Sequence, residues 1–228
     1  MTAHDKSKPT GVLLYNLGAP ETLDGIQPFL TNLFSDPIIL PVRPAFLRRF
    51  VARKIAKSRA KKVAPGYSAI GGGSPLLEIT KRQAAALEMK LAAQGLNVNV
   101  FVGMRYSTPN LLDAISNSNI NKLARLVLLP LYPQYSITTT GSALAEIERI
   151  RHASKSFPET LSIEHWHDHP GYLDAMAVRL SEEMEKFSSR AQKNLHVIFS
   201  AHSIPEKFAL RGDPYPEQVR RTVEGIVE

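Results

Sequence analysis

His202 stands in the stretch LHVIFSAHSIPEKFALRGDPYP, residues 195–216, directly after Leu195, Val197 and Phe199, which alternate as the inward positions of a strand do. A histidine at the carboxyl end of a buried strand is well placed for chemistry, because open α/β sheets bind ligands in the crevice beyond those ends. A neutral imidazole there can take a proton near neutral pH or offer its lone pair to a metal ion. It can equally do no more than satisfy loop backbone groups. Ser200 and Ser203 do not turn the site into a hydrolase, since the chain contains no Gly-x-Ser-x-Gly elbow.

EHWHDHP is the second histidine-rich stretch. His165, His167 and His169 are spaced by two, so a continuing strand would put all three rings on one face, where imidazoles can bind zinc. Trp166 and Pro170 indicate that the strand is ending, which would scatter the rings, and a structural role is the expected one. SAIGGGSP and SITTTGS are glycine- and hydroxyl-rich turns with donors for an anion, but neither fits a Walker or dinucleotide pattern. Residues 43–62, RPAFLRRFVARKIAKSRAKK, carry nine basic residues in twenty, with Phe46, Phe50 and Val51 interleaved at helical spacing. A helix of that kind can lie on an anionic membrane surface or hold an acidic ligand. No recognisable nucleic-acid-binding module accompanies it.

The elements that must position these groups follow from short apolar runs alternating with helical patterns, the signature of βα units and a mostly parallel sheet. Strands are expected at GVLLYN, NVNVFVGM, ARLVLLP, LSIEHW and the run ending at Phe199. Helices are expected with Leu23, Ile26, Leu30 and Leu33 on one face, over LLEITKRQAAALEMKLAAQG up to Gly95, from Thr108 and Pro109 as N-cap and N1 to Ile115, over TGSALAEIERIRHAS, over 170–190, and in PEQVRRTVEGIVE with Val219, Val223 and Ile226 inward. Four strands precede residue 168 and one follows, so a first α/β domain is expected over 1–168 and the opening of a second over 169–228. A lone strand between helices cannot close a core by itself.

The 228 residues, 43% hydrophobic, are enough for one sizeable core and part of another. A net charge of +7 favours acidic partners. With no cysteine there is no disulfide, thiolate site or cysteine nucleophile, which fits a reducing compartment. No stretch approaches the ~18 apolar residues of a membrane span, and a cytoplasmic protein with peripheral membrane contact is expected.

In order along the chain, LLYNLGAPETL, IGGGSP, GMRYSTP, YPQYSITTTGS, FSAHSIP and RGDPYP resemble the ferrochelatases, from Gly11 onward. The resemblance implies two Rossmann-like domains with a porphyrin cleft between them, and insertion of ferrous iron into a porphyrin, the last step of heme synthesis. It implies that His202 is the active-site histidine, as acceptor of a pyrrole proton or as ligand of the incoming metal. It implies that Arg59 and Ser74 hold a propionate, that Tyr67, Arg105, Tyr106 and Tyr132 are cleft residues, and that Leu40 supplies an apolar wall. No tightly bound cofactor is implied, Fe²⁺ being a substrate. Leu17 stands where the coproporphyrin-specific branch carries a tyrosine, so protoporphyrin IX is the expected macrocycle. Family members extend further, and the added segment supplies an acidic partner to the histidine, so this chain is expected to be inactive or unstable alone. A chelatase for cobalt or nickel and a porphyrin- or heme-binding remnant without chemistry stay open as alternatives.

Overall fold

Four parallel strands in the order β2-β1-β3-β4 form the sheet, with β1 at Thr10–Asn16, β2 at Val98–Met104, β3 at Arg125–Pro130 and β4 at Glu159–Ser162. The computed structural model describes residues 8–192 and 194–228. Central β1 pairs with β2 from Thr10↔Val98 to Asn16↔Met104 and with β3 from Thr10↔Arg125 to Tyr15↔Pro130. Val12 through Tyr15 are all buried, as a strand covered on both faces requires.

The chain divides into two compact units. One runs through Leu131 and resumes over Thr138–Ile163, and the other comprises Tyr132–Ile137 and Glu164–Glu228. The division after β4 lies between Ile163 and Glu164, and the second unit also takes in Tyr132–Ile137, the stretch after β3.

In the first unit, α1 (Ile26–Ser35) buries Ile26 and Phe29 and packs on α2 (Ala45–Ala69), which offers Ala52 and Ala56. Leu23, expected on the inward face, precedes α1 and is exposed. The expected basic helix over 43–62 is longer than its charge run and continues through Pro65. α3 (Leu76–Ala93) ends where Gly95 takes a positive φ of 78°, accessible to glycine at little cost. α4 (Leu111–Asn117) is capped by the Asn110 side chain, which accepts from the Asp113 N–H, so the cap expected at Thr108 lies two residues later. α5 (Ser142–Ala153) buries Ile147 and Ile150. Ser74 donates its N–H to the Pro20 carbonyl, and a Cβ on Gly73 would meet the Glu21 carbonyl oxygen at 1.9 Å. That contact explains why IGGGSP ends in glycine before its serine.

The second unit contains α6 (Pro170–Met184), α7 (Ser189–Gln192), α8 (Glu206–Ala209) and α9 (Tyr215–Val227). α6 packs on α9 closely enough that a Cβ on Gly225 would lie 2.6 Å from Leu173 Cδ1. The expected strand at 195–199 is not formed: those residues are irregular, and Ile198 is 88% exposed. Alternating side chains make a strand only where a neighbour supplies the hydrogen bonds, and among the described residues of this unit no strand lies alongside. The expected 170–190 helix also stops at Met184 and resumes at Ser189.

Candidate functional site

Where β1 and β2 end, the chain keeps pairing for two more residues: Arg105 and Tyr106 donate their N–H groups to the Asn16 and Leu17 carbonyls. That continuation delivers both side chains to the carboxyl edge of the sheet, beside Ser142 at the start of α5. β1 and β3 are the strands at which the connection order reverses, the place where such sheets leave a crevice.

Asp36, 4% exposed, is the centre of this cluster. Its Oδ2 accepts from the Arg105 guanidinium at 2.8 Å, the Tyr106 hydroxyl at 2.7 Å and the Ser142 hydroxyl at 2.5 Å. Its Oδ1 accepts from the Ile38 N–H at 2.8 Å. Arg105 Nε also donates to Ser142 Oγ at 2.9 Å, and the guanidinium lies 4.8 Å from the centroid of the Tyr106 ring. A buried carboxylate with this many donors is held in one orientation.

Tyr106 is 2% exposed, so its ring is a packing element and not an open face for a macrocycle. Burial raises its phenol pKa well above the ordinary value, the Ser142 bond opposes this, and the Asp36 charge adds to it. The sign follows directly. Below about pH 10 both folded and unfolded chains keep the proton, and above it the unfolded chain loses its proton first. Stability is therefore full below the unfolded pKa and falls as pH rises toward the folded one. Urea midpoints measured from pH 8 upward should decline more steeply for the natural chain than for Tyr106→Phe, and equal slopes would contradict the burial argument.

The other expected site residues of this unit lie at or near its surface. Arg59 is exposed, 5.7 Å from the Phe34 ring centroid. Ser74 accepts from the Leu76 N–H at 3.2 Å and keeps its own proton to donate. Leu40 and Tyr67 are half-buried, Leu40 with its N–H on the Asp36 carbonyl. A cavity of about 520 Å³ beyond the strand ends is lined by Arg105, Asn32, Pro20 and Thr22 among others.

In the second unit, His202 is exposed and lines a cavity of about 330 Å³ with Phe199, Tyr172, Tyr215 and Gln134. Tyr132 is half-buried. Burial raises the pKa of Tyr172 and Tyr215, opposed by bonds to Gln134 and to the His202 backbone respectively. The loop YPQYS is held by α9 and its approach: the Tyr135 N–H donates to Gln218 Oε1, and Gln134 Nε2 donates to Thr222 Oγ1. Asp213 receives the Ser136 hydroxyl and the Ile137 N–H on one oxygen and the Tyr215 N–H on the other. These bonds explain why YPQYS and RGDPYP occur together, with Gly212 at φ 88° turning the chain into them.

Sequence reasoning missed Asp36, the anion that Ser142, at the end of the donor-rich turn SITTTGS, bonds. The available signal was an aspartate inside the apolar run LFSDPIIL, where an unpaired charge is costly. The histidine stretch also differs from expectation. β4 spans Glu159–Ser162, so the strand expected over LSIEHW begins earlier and ends before the histidines, yet His165 and His167 stay together, ring centroids 5.0 Å apart, while His169 provides the N-cap position of α6.

A family model described as Ferrochelatase matches residues 9–228. A ferrochelatase of Geotalea uraniireducens (strain Rf4) is 42% identical over 219 residues, covering 96% of this chain and 67% of that protein. One of Aquifex aeolicus (strain VF5) is 45% identical over 219 residues, with 96% and 67% covered. Ferrochelatase-1, chloroplastic/mitochondrial, of Arabidopsis thaliana is 43% identical over 234 residues, covering 100% of this chain and 49% of that protein. The chain thus spans between about half and two thirds of the length of these relatives. Similarity that extends from the residue before β1 to the last residue of the chain settles the relationship: the chain belongs to the ferrochelatase family.

Proposed function

We propose that the chain serves as a lyase of heme synthesis, inserting ferrous iron into protoporphyrin IX. The observation that carries this reading is the family match across residues 9–228, which includes the FSAHSIP stretch with His202 on the rim of an aromatic-lined cavity.

Metallation of a porphyrin exchanges two pyrrole protons for one divalent ion, so the site needs a proton acceptor at the macrocycle centre and an anchor at its edge. His202 is the acceptor in this reading, its exposed imidazole free to take a pyrrole proton or to hold the ion on entry. Arg59 and Ser74 anchor a propionate through charge-assisted hydrogen bonds, the guanidinium being exposed and the serine proton still available. Leu40, Tyr67 and Tyr132 supply apolar contact. Arg105 and Tyr106, locked to Asp36, act as positioning residues of the first unit. Phe46, Leu47 and Phe50 are exposed on α2 among its lysines and arginines, which supports peripheral contact of this helix with an anionic membrane. Among the described residues no helix is long and apolar enough to cross a membrane.

The test is anaerobic Fe²⁺ insertion into protoporphyrin IX, followed by loss of porphyrin fluorescence, for this chain and for this chain completed with the part of the Geotalea relative that it does not cover. Turnover by either form supports the reading. Porphyrin binding with no turnover by either form would favour a binding protein without the chemistry. Turnover with Co²⁺ or Ni²⁺ in clear preference to Fe²⁺ would change the assigned metal.

A further inference from the structure

We propose that His165, His167 and Asp168 form a binding site for a divalent transition-metal ion, separate from His202. His165 and Asp168 are exposed and His167 is 3% exposed, and one ligand atom from each lies within 4.8 Å of the other two. The two imidazole centroids are 5.0 Å apart and tilted by 55°, and His167 Nδ1 lies 3.8 Å from Asp168 Oδ1, too far for a hydrogen bond.

The buried imidazole points to a ligand. Neither ring nitrogen of His167 has a hydrogen-bond partner, although both are shielded from solvent. A buried polar atom left unpaired costs about 1–3 kcal/mol, and natural proteins keep few of them. The backbone of the same residue is firmly held, its carbonyl accepting from Thr222 Oγ1 at 3.0 Å. Burial lowers the His167 pKa, the nearby Asp168 charge opposing this.

An ion bound at about 2.1 Å to each ligand needs ligand atoms about 3.3–4.2 Å apart. The required contraction is small, and His165 and Asp168, both exposed, can supply it by side-chain rotation around the fixed His167. Arg221, a cation that acts on His167, is engaged by Glu217 at 3.0 Å. Two imidazoles and one carboxylate suit Zn²⁺, Co²⁺, Ni²⁺ or Fe²⁺, with further positions left for water, and do not suit Mg²⁺ or Ca²⁺, which prefer oxygen. Thr222, which holds the His167 carbonyl, also lines the cavity of His202. The ion binds here whether or not the chain metallates a porphyrin.

The test is a Co²⁺ titration of the full chain in a His202→Ala background, which removes the imidazole assigned to iron insertion, read by the ligand-field absorption of bound Co²⁺. One ion per chain is expected. Adding His165→Ala or Asp168→Asn, both exposed positions that leave the core intact, should weaken binding at least 10-fold in each case. Absence of saturable binding in the His202→Ala chain, or unchanged affinity in either added variant, would overturn the assignment.

Discussion

Asp36→Asn should lower the unfolding free energy by about 3–5 kcal/mol, the range seen when one partner of a buried ion pair is removed and the other charge is left behind. The carboxylate is 4% exposed, and the Arg105 side chain paired with it is 16% exposed, so water cannot readily replace what is lost. An amide at this position can keep its oxygen where Oδ2 now accepts three donors, but its NH₂ then faces the Ile38 N–H that Oδ1 now receives, and the opposite orientation faces all three donors instead. Ser142→Ala removes only a neutral hydroxyl from the same cluster and should cost about 1 kcal/mol. The check is urea unfolding followed by far-ultraviolet circular dichroism, comparing midpoints at unchanged m-value. A loss below about 1 kcal/mol for Asp36→Asn would mean that Arg105 finds solvent or another partner, and that the cluster is not the anchor of the strand ends.

His202→Ala should reduce iron insertion by about 10²–10⁴-fold, the usual contribution of a positioned acid or base, while porphyrin affinity stays within a few-fold of the natural value. His202 is exposed and lies in an irregular segment, so its removal should change stability by no more than about 0.5 kcal/mol. A lost rate is then not a folding defect. The two roles open to the imidazole separate kinetically: a proton acceptor lowers kcat, whereas a residue that gathers the ion raises KM for Fe²⁺. Insertion at the natural rate in the variant would remove His202 from the chemistry altogether.

The elements legible from sequence are those whose stability is local or whose burial is complete. β1 shows as LLYN within a continuous apolar run because both of its faces are covered. α5 shows through Ile147 and Ile150, one helical turn apart, and the end of α3 through Gly95. The segment at 195–199 carries a strand pattern as clear as that of β2, yet it is irregular, because alternation specifies which side chains face inward and not whether a neighbouring backbone is present to pair. Charge patterning marked the basic stretch of α2 correctly, but the exposure of Phe46 at 75% is a tertiary fact, since the same periodicity would serve a buried face.

Taken alone, the sequence determined the α/β class, the parallel βα order of the first sheet, and the family, because each rests on the identity and order of residues along the chain. It also singled out His202, whose surroundings in FSAHSIP are local. Tertiary structure alone decided that residues 36, 105, 106 and 142 meet around one carboxylate, that Tyr106 is buried within that cluster, and that two of the three histidines in EHWHDHP stay together with Asp168. The physical reason is common to all three. Hydrogen bonds and ion pairs between residues distant along the chain depend on which strand ends and helix starts the sheet brings side by side, and His167 becomes a candidate ligand only because packing removes water from both of its nitrogens.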